Sequence, residues 1–322
     1  MKTLLQVKNL CIHITKRGRL LSAAEDISFD LHEGEILGIV GESGSGKSLT
    51  ALSIAGLLGD NKKASGSIAY NGTEMLALAE EELQHIRGKE ISMIFQEPFS
   101  SLNPLMKVGA QIAETLELHG EKDKTRNKSR VIQLMKSLKL DDAENLANAY
   151  PHQLSGGMCQ RIMIALAIIC RPRLLIADEP TTALDFSTQS QILALMKEIN
   201  RDMGTSILFI SHDLSLIKDF CSRVLVMYSG RILEEGSAGE IFSRPAHEYT
   251  RCLLASIPGG AKKGEELAAI PGKIPSLEDG RPSGCPFHPR CGKALPACKG
   301  EFPAARFISA CHTTRCLLPE TQ

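Results

Sequence analysis

The sequence predicts an α/β protein with a largely parallel sheet core, followed by a small cysteine-rich extension. Three observations predict it. First, short apolar, β-rich runs occur at Glu35–Val40, Ile91–Phe95, Leu174–Ala177, Ser206–Ile210 and Val224–Met227. Each is followed by turn or helix signals, the pattern of buried parallel strands. Second, the texture changes after residue 255: nine of the fifteen prolines and eight glycines lie in residues 256–322, which disfavours regular helices there. Third, five cysteines (Cys11, Cys159, Cys170, Cys221, Cys252) are scattered through the core, whereas Cys285, Cys291, Cys298, Cys311 and Cys316 crowd into one short segment.

The first part, residues 1–255, is long enough to bury its own core. Between Glu80 and Arg173 the pattern is mostly helical and polar, as in a subdomain mounted on a sheet, and Glu121–Arg130 reads as a charged surface stretch. Ile257–Gly284 reads as an extended arm. Cys285–Cys316 reads as a loop-rich module with too few apolar residues to hold together without a staple. Scattered thiols in a reducing compartment are inert core residues, but a dense group there suggests metal rather than disulfides.

Composition narrows the function. The 322 residues carry 37 Lys+Arg against 37 Asp+Glu, so the formal net charge is zero. That argues against bulk attraction to nucleic acid. There is no Trp and aromatics are 4%, so stacking platforms for single strands are scarce. The longest apolar run, Ile162–Cys170, falls far short of the about 18 residues of a membrane span. The start, MKTLLQVKNLCIHITKRG, lacks a long apolar core and an A-x-A cleavage site. A cytoplasmic chain is expected, with any membrane role arising through a partner.

Two motifs carry phosphate chemistry. In ILGIVGESGSGKS, Gly41, Gly46, Lys47 and Ser48 fit G-x-x-x-x-G-K-[ST], after an apolar strand and before a helical run. The glycines let backbone N–H groups turn inward around phosphate oxygens, and the helix N-terminus adds positive potential. Lys47 can reach the β and γ phosphates and Ser48 can bind Mg²⁺. LLIADEP is an apolar strand ending in two acids. Asp178 there suits a water-bridged Mg²⁺ contact and Glu179 suits polarisation of an attacking water.

At LSGGMCQR, residues 154–161, the chain resembles the signature of ATP-binding cassette (ABC) proteins. Gln96 in MIFQEP resembles the Q-loop glutamine, Leu184 and Asp185 in TTALD the D-loop, and His212 in FISHD the switch histidine. The resemblance covers about residues 1–255. It implies a P-loop nucleotide-binding domain with an antiparallel β subdomain and a helical subdomain at about 88–172. Gly41, Ser43, Gly44, Gly46, Lys47, Ser48 and Leu49 would then bind ATP. Ser48 and Gln96 would ligate Mg²⁺ with Asp178 behind them, Glu179 would activate water, and His212 would contact the γ-phosphate. Ser155, Gly156 and Gly157 precede a helix-forming run, an anion-binding arrangement. In the family that surface closes over ATP held by a second subunit. One departure is the lack of an aromatic in Gly18–Asp26, where many relatives stack one on adenine. Leu21 stands about there, so GTP use stays open.

GESGSGKS, FQEPFSSLNP and the tail GCPFHPRC resemble the oligopeptide/dipeptide/nickel importer subfamily, in particular its dipeptide-transport D-type subunit. Cys159 stands where Arg is common in that type. The resemblance implies an ATPase that powers peptide import from the cytoplasmic face of the inner membrane. It also implies two integral-membrane permeases, an extracytoplasmic substrate-binding protein and a second, paralogous ATPase, with no nucleic-acid partner. A nickel or metal-chelate importer is the alternative. A non-transport ABC ATPase or an iron–sulfur sensor is more distant. The tail spacing, Cys285-x₅-Cys291-x₆-Cys298-x₁₇-Cys316, resembles the family's C-terminal extension, which in some relatives carries a [4Fe–4S] cluster. Four thiolates suit that cluster. The spacing departs from the paired cysteines of ordinary zinc sites, though Zn²⁺ with His288 or His312 as substitute ligands stays open, as does a metal-free loop. The residues do not identify the cargo. On this reading residues 1–255 form the ATPase domain, 256–284 a linker and 285–322 the cysteine-rich module.

Overall fold

A computed structural model describes residues 2–182, 184–257 and 269–319. The chain opens on β1 (Thr3–Lys16), β2 (Arg19–His32) and β3 (Ile36–Val40). Helix α1 (Lys47–Ile54) and strands β4 (Lys62–Tyr70) and β5 (Thr73–Glu74) follow. A mainly helical stretch holds α2 (Glu80–Ile86), β6 (Ile91–Ile94), α3 (Pro98–Ser101) and α4 (Val108–Leu118). It continues through α5 (Lys124–Ser137), α6 (Ala143–Leu146) and α7 (Gly156–Ile168). Next come β7 (Leu174–Asp178), α8 (Phe186–Met203), β8 (Ser206–Ser211) and α9 (Leu214–Phe220). Strands β9 (Arg223–Tyr228) and β10 (Arg231–Ser237) precede α10 (Ala238–Ser243) and α11 (Glu248–Ala255). Two short strands, β11 (Arg306–Ser309) and β12 (His312–Thr314), close the described chain.

The chain divides into two compact units. The first holds residues 32–35 and 78–208. In it β6 and β7 pair in parallel, Ile91 opposite Leu174 through Ile94 opposite Ala177. Helix α7 is apolar nearly all round and buries Ile162, Ile164, Ala165 and Ile168, the pattern of a central helix. Helices α4 and α5 pack on it with Val108, Ile112, Leu116, Val131 and Met135 buried. Cys159 is a fully buried thiol pointing at the Pro151 carbonyl. The charged stretch Glu121–Arg130 is loop to Asp123 and helix α5 from Lys124 onward. Asp123 caps α5 by accepting from the Thr125 and Arg126 N–H groups, and Glu121 pairs with Arg130 at 3.3 Å.

The second unit holds residues 2–31, 36–77 and the chain from 209 onward. One sheet runs β2-β1-β4-β5, with β1 and β4 antiparallel from Leu5 opposite Tyr70 to Ile14 opposite Lys62. Short apolar runs do not reveal these strands, because β1 carries a bulge between Lys8 and Cys11 that shifts which face each residue takes. The other sheet runs β11-β12-β10-β9-β3 within this unit, with β3 and β9 parallel and every residue of β3 buried. The cysteine-rich segment therefore does more than loop. Its hairpin β11–β12 continues the sheet, Thr313 and Thr314 pairing with Glu235 and Glu234. Strands of four and three residues, largely polar, leave no period to read. The arm expected at 257–284 lies partly outside the described residues, at 258–268. Its described part runs without helix or strand to Arg281, whose guanidinium pairs with Glu25 and donates to the Ser229 carbonyl at 2.6 Å.

Candidate functional site

The second unit carries the glycine-rich loop between β3 and α1. A Cβ on Gly41 would run into the Met227 carbonyl, and its φ of +154° lies where side chains are rarely tolerated. Gly46, at φ +99°, forms the N-cap of α1, and no side chain caps that helix. A helix start without a side-chain cap suits an anionic group. Lys47 is 4% exposed, and its Nζ donates to the carbonyls of Gly41 (2.7 Å) and Glu42 (3.0 Å) and to Ser45 Oγ (3.3 Å). The ammonium is therefore held inside the loop rather than trailing into solvent. Ser43 and Gly44 are exposed at the tip, and Ser48 and Leu49 are half-buried in the first turn of α1. His212 is exposed directly after β8. There Asp213 donates its N–H to Ser211 Oγ and caps α9 through the Ser215 N–H at 2.8 Å.

The first unit carries the acids. Asp178 is buried as the last residue of β7. Glu179 follows with a left-handed backbone, φ +49°, unusual for a residue with a side chain. Its Oε2 accepts from Gln96 Nε2 at 2.9 Å and from Thr182 Oγ1 at 2.9 Å. Thr182 is a contact the motif reading missed. The signal was a hydroxyl three residues after the acid, inside the turn that Thr182 N–H closes on the Glu179 carbonyl at 3.1 Å.

The signature segment starts α7. Ser155 is the N-cap, its Oγ accepting from the Met158 N–H at 3.3 Å, and Gly156 and Gly157 form the first turn. A Cβ on Gly157 would sit 3.1 Å from Thr188 Cγ2, so the starts of α7 and α8 lie side by side. Asp185 caps α8 through the Thr188 N–H at 3.0 Å and Thr188 Oγ1 at 2.6 Å, and those bonds hold its carboxyl below the usual range.

The predicted set thus divides by unit. Gly41 to Leu49 and His212 belong to the second; Gln96, Asp178, Glu179, Ser155, Gly156, Gly157 and Asp185 belong to the first. Ser48 in the second unit carries a hydroxyl, and Gln96 and Asp178 in the first an amide and a carboxylate, each a hard oxygen donor of the kind Mg²⁺ takes. Leu21 is half-buried. With Leu20 and Ser22 it lines a cleft of about 220 Å³ whose other wall is Pro275–Arg281.

The cysteines meet in the second unit. Cys285, Cys291, Cys298 and Cys316 line one small cavity with His247, His288 and Phe287. Cys285 donates its N–H to the Cys298 carbonyl at 2.9 Å, and its Sγ lies 3.7 Å from His247 Nε2. Burial, with the three other thiols adding to it, pushes the Cys285 thiol up to about 12. Among the described residues, no group of three or more His, Cys, Asp or Glu is spaced to hold a metal ion. The donors converge and are of the right kind for iron–sulfur ligation, but the spacing of a formed site is not there. His312 does not line that cavity, and its Nε2 meets buried Glu234 Oε1 at 2.7 Å. Cys311 is exposed and does not line the cavity.

A glycine-rich loop with an inturned lysine at an uncapped helix start, and a strand-end acid pair engaged by a loop glutamine, define a nucleoside-triphosphatase. Residues 24–182 match the ABC transporter family, and residues 233–298 match the oligopeptide/dipeptide transporter C-terminal region. The oligopeptide transport ATP-binding protein OppD of Escherichia coli K12 is 46% identical over 94% of this chain and 90% of its own length. The dipeptide transport ATP-binding protein DppD of the same organism is 41% identical over 98% and 97%. Among solved structures, a dimeric ATP-binding cassette in a post-hydrolysis state bound to ADP and Pi superposes with TM-score 0.66. It is 28% identical and covers 73% of this chain and 98% of its own. The chain belongs to the ABC transporter family, among its oligopeptide and dipeptide transport ATP-binding proteins. It is an ATPase subunit, and among the described residues no helix is long and apolar enough to cross a membrane.

Proposed function

We propose that this chain hydrolyses ATP to power peptide import, as one of two ATPase subunits on a membrane transporter. The hydrogen bond from Gln96 to Glu179 is the observation that most directly supports the catalytic half of this reading. The near full-length similarity to oligopeptide and dipeptide transport proteins supports the cargo. Residues 1–255 would act as the ATPase domain, with a helical subdomain at about 88–172, and 285–322 as an appended module joined by 256–284.

The roles follow phosphoryl-transfer logic. Lys47 and the loop amides hold and neutralise the phosphates. Ser48 and Gln96 would hold Mg²⁺, with Asp178 behind them, and the ion would supply neutralisation of phosphate charge. Glu179 orients a water and takes its proton, and His212 contacts the γ-phosphate. Ser155, Gly156 and Gly157 present a helix start to ATP on the second subunit, with Asp185 beside them. Nucleotide then joins two chains and hydrolysis releases them. The partners are two permeases, a substrate-binding protein and a paralogous ATPase, with this chain peripheral on the cytoplasmic face of the inner membrane. Cys285, Cys291, Cys298 and Cys316 would be the ligands of a [4Fe–4S] cluster, with Zn²⁺ as the alternative.

Uptake of labelled di- and oligopeptides in cells whose only copy of this chain carries Lys47→Ala tests the reading. Loss of peptide uptake supports it. Unchanged peptide uptake with loss of nickel uptake would move the assignment to a metal-chelate importer.

A further inference from the structure

Arg290 lies in the 3₁₀ turn His288–Arg290, one residue before Cys291, and is 8% exposed. Its guanidinium engages the Glu42 carboxylate with both terminal nitrogens, Nη1 to Oε2 at 2.8 Å and Nη2 to Oε1 at 3.1 Å. Nε donates to the Pro271 carbonyl at 2.8 Å and Nη1 also to Tyr228 Oη at 3.3 Å. A planar fork held at this many points fixes its acceptor in place and orientation, which an ammonium does not.

Glu42 sits inside the phosphate loop, between Gly41 and Ser43. Its carbonyl accepts from Lys47 Nζ at 3.0 Å and its N–H donates to Tyr249 Oη at 3.0 Å. Tyr228 packs edgewise and Tyr249 tilted on buried Phe287 of the cysteine-rich module, with ring centroids 5.4 and 5.2 Å away. One residue of the loop is therefore tied at its carboxylate, its N–H and its carbonyl. Two of those ties, through Arg290 and through the tyrosine–Phe287 cluster, lead to the module.

We propose that Arg290 is a positioning residue for nucleotide: acting through Glu42, it lets the cysteine-rich module set the backbone of the phosphate loop and hence its affinity for the polyphosphate of ATP. This rests on the phosphate-loop reading of Gly41–Ser48. A loop ordered in the free protein does not have to be ordered at binding, so losing the tether lowers affinity. Lys47 and the loop amides meet the phosphates in the ground state and in the transition state alike. The loss therefore falls on KM more than on kcat.

The test is MgATP affinity and steady-state ATPase of the full-length chain. Arg290→Gln is expected to weaken affinity about tenfold with kcat within about twofold. Arg290→Lys should fall between, keeping the charge and losing the fork. Glu42→Gln should give a loss like that of Arg290→Gln, and the double variant no more than either alone, since both act through one contact. Unchanged affinity in a folded Arg290→Gln protein, additive losses in the double variant, or a loss confined to kcat would each overturn the proposal. Should Arg290→Gln not fold, Glu42→Gln decides, because its side chain is already 26% exposed; unchanged affinity there overturns it equally. Lys47→Ala separates the two levels. If it too keeps full affinity, the phosphate-loop reading has failed; if it alone loses affinity, only the role of Arg290 has.

Discussion

Gln96 and Glu179 are joined by a 2.9 Å hydrogen bond, and the sheet register explains why. Ile94 and Ala177 are the last paired residues of the parallel strands β6 and β7, so residues two beyond each emerge together at the carboxyl ends. That is where ligands bind in α/β sheets. The left-handed turn at Glu179 then redirects its side chain so that Oε2 meets both Gln96 and Thr182. A non-glycine residue in that conformation costs of order 1 kcal/mol or more and persists where surrounding bonds hold it.

Glu179→Gln keeps the side chain's length and removes the base. We expect ATP affinity within about threefold of wild type and kcat lower by about 10²- to 10⁴-fold, the span assigned to general base catalysis. Single-turnover hydrolysis checks it, with gel filtration in MgATP to detect the trapped two-subunit state. Wild-type turnover would remove Glu179 from the role of base.

Thr182→Val deletes the hydroxyl that steadies the Glu179 carboxylate while keeping its volume. A hydrogen bond to a charged group contributes about 1.5–3 kcal/mol, so kcat should fall about tenfold or more, with KM little changed. Steady-state ATPase measures both constants. An equal rise in KM with unaltered kcat would mean that Thr182 serves binding instead.

These contacts show how far sequence reaches. Lys47, Ser48, Asp178 and Glu179 were legible because a phosphate loop and a strand-end acid pair are local patterns, fixed by a few residues of backbone geometry. The five apolar strand runs were legible for a similar reason, with β3, β7 and β8 buried along their whole length. Thr182 was harder, since its role depends on the left-handed turn at Glu179, which no residue-type rule announces. Arg290 and Glu42 are 248 positions apart, and no local pattern links them. The hairpin β11–β12 escaped because its few polar residues gain their pairing from β10 rather than from their own periodicity. The four cysteines were found as a group, but their side-by-side placement around Phe287 and His247 needed the fold.

The cysteine cavity makes its own prediction. Four thiols lining one cavity, with Cys285 pushed up to about 12 by burial, favour the neutral form unless a cation compensates thiolate charge. Anaerobic purification with iron, sulfide and zinc analysis should find about four irons and four sulfides per chain, lost in Cys291→Ser. One zinc and no iron would make the module a zinc clip. Neither metal in protein prepared without oxygen would reduce it to a packed, reduced hairpin.

His247 predicts a pH dependence of stability. It is wholly buried, with Nδ1 accepting from the Tyr249 N–H at 3.0 Å, an arrangement that needs the neutral ring. Burial lowers its pKa from 6.5 to about 4, outweighing the opposing pull of Glu234 and Glu248. The unfolded chain therefore binds a proton between those two values that the folded chain refuses. Stability from this group is complete above about pH 6.5, declines as pH falls toward about 4 and levels off below, a total of roughly 3 kcal/mol. His247→Asn offers Oδ1 to the same N–H and cannot titrate. Urea midpoints at pH 7.5 and pH 5 should separate by more in the wild type than in His247→Asn. Equal separations would show that the acid sensitivity lies elsewhere, in the carboxylates that both proteins share.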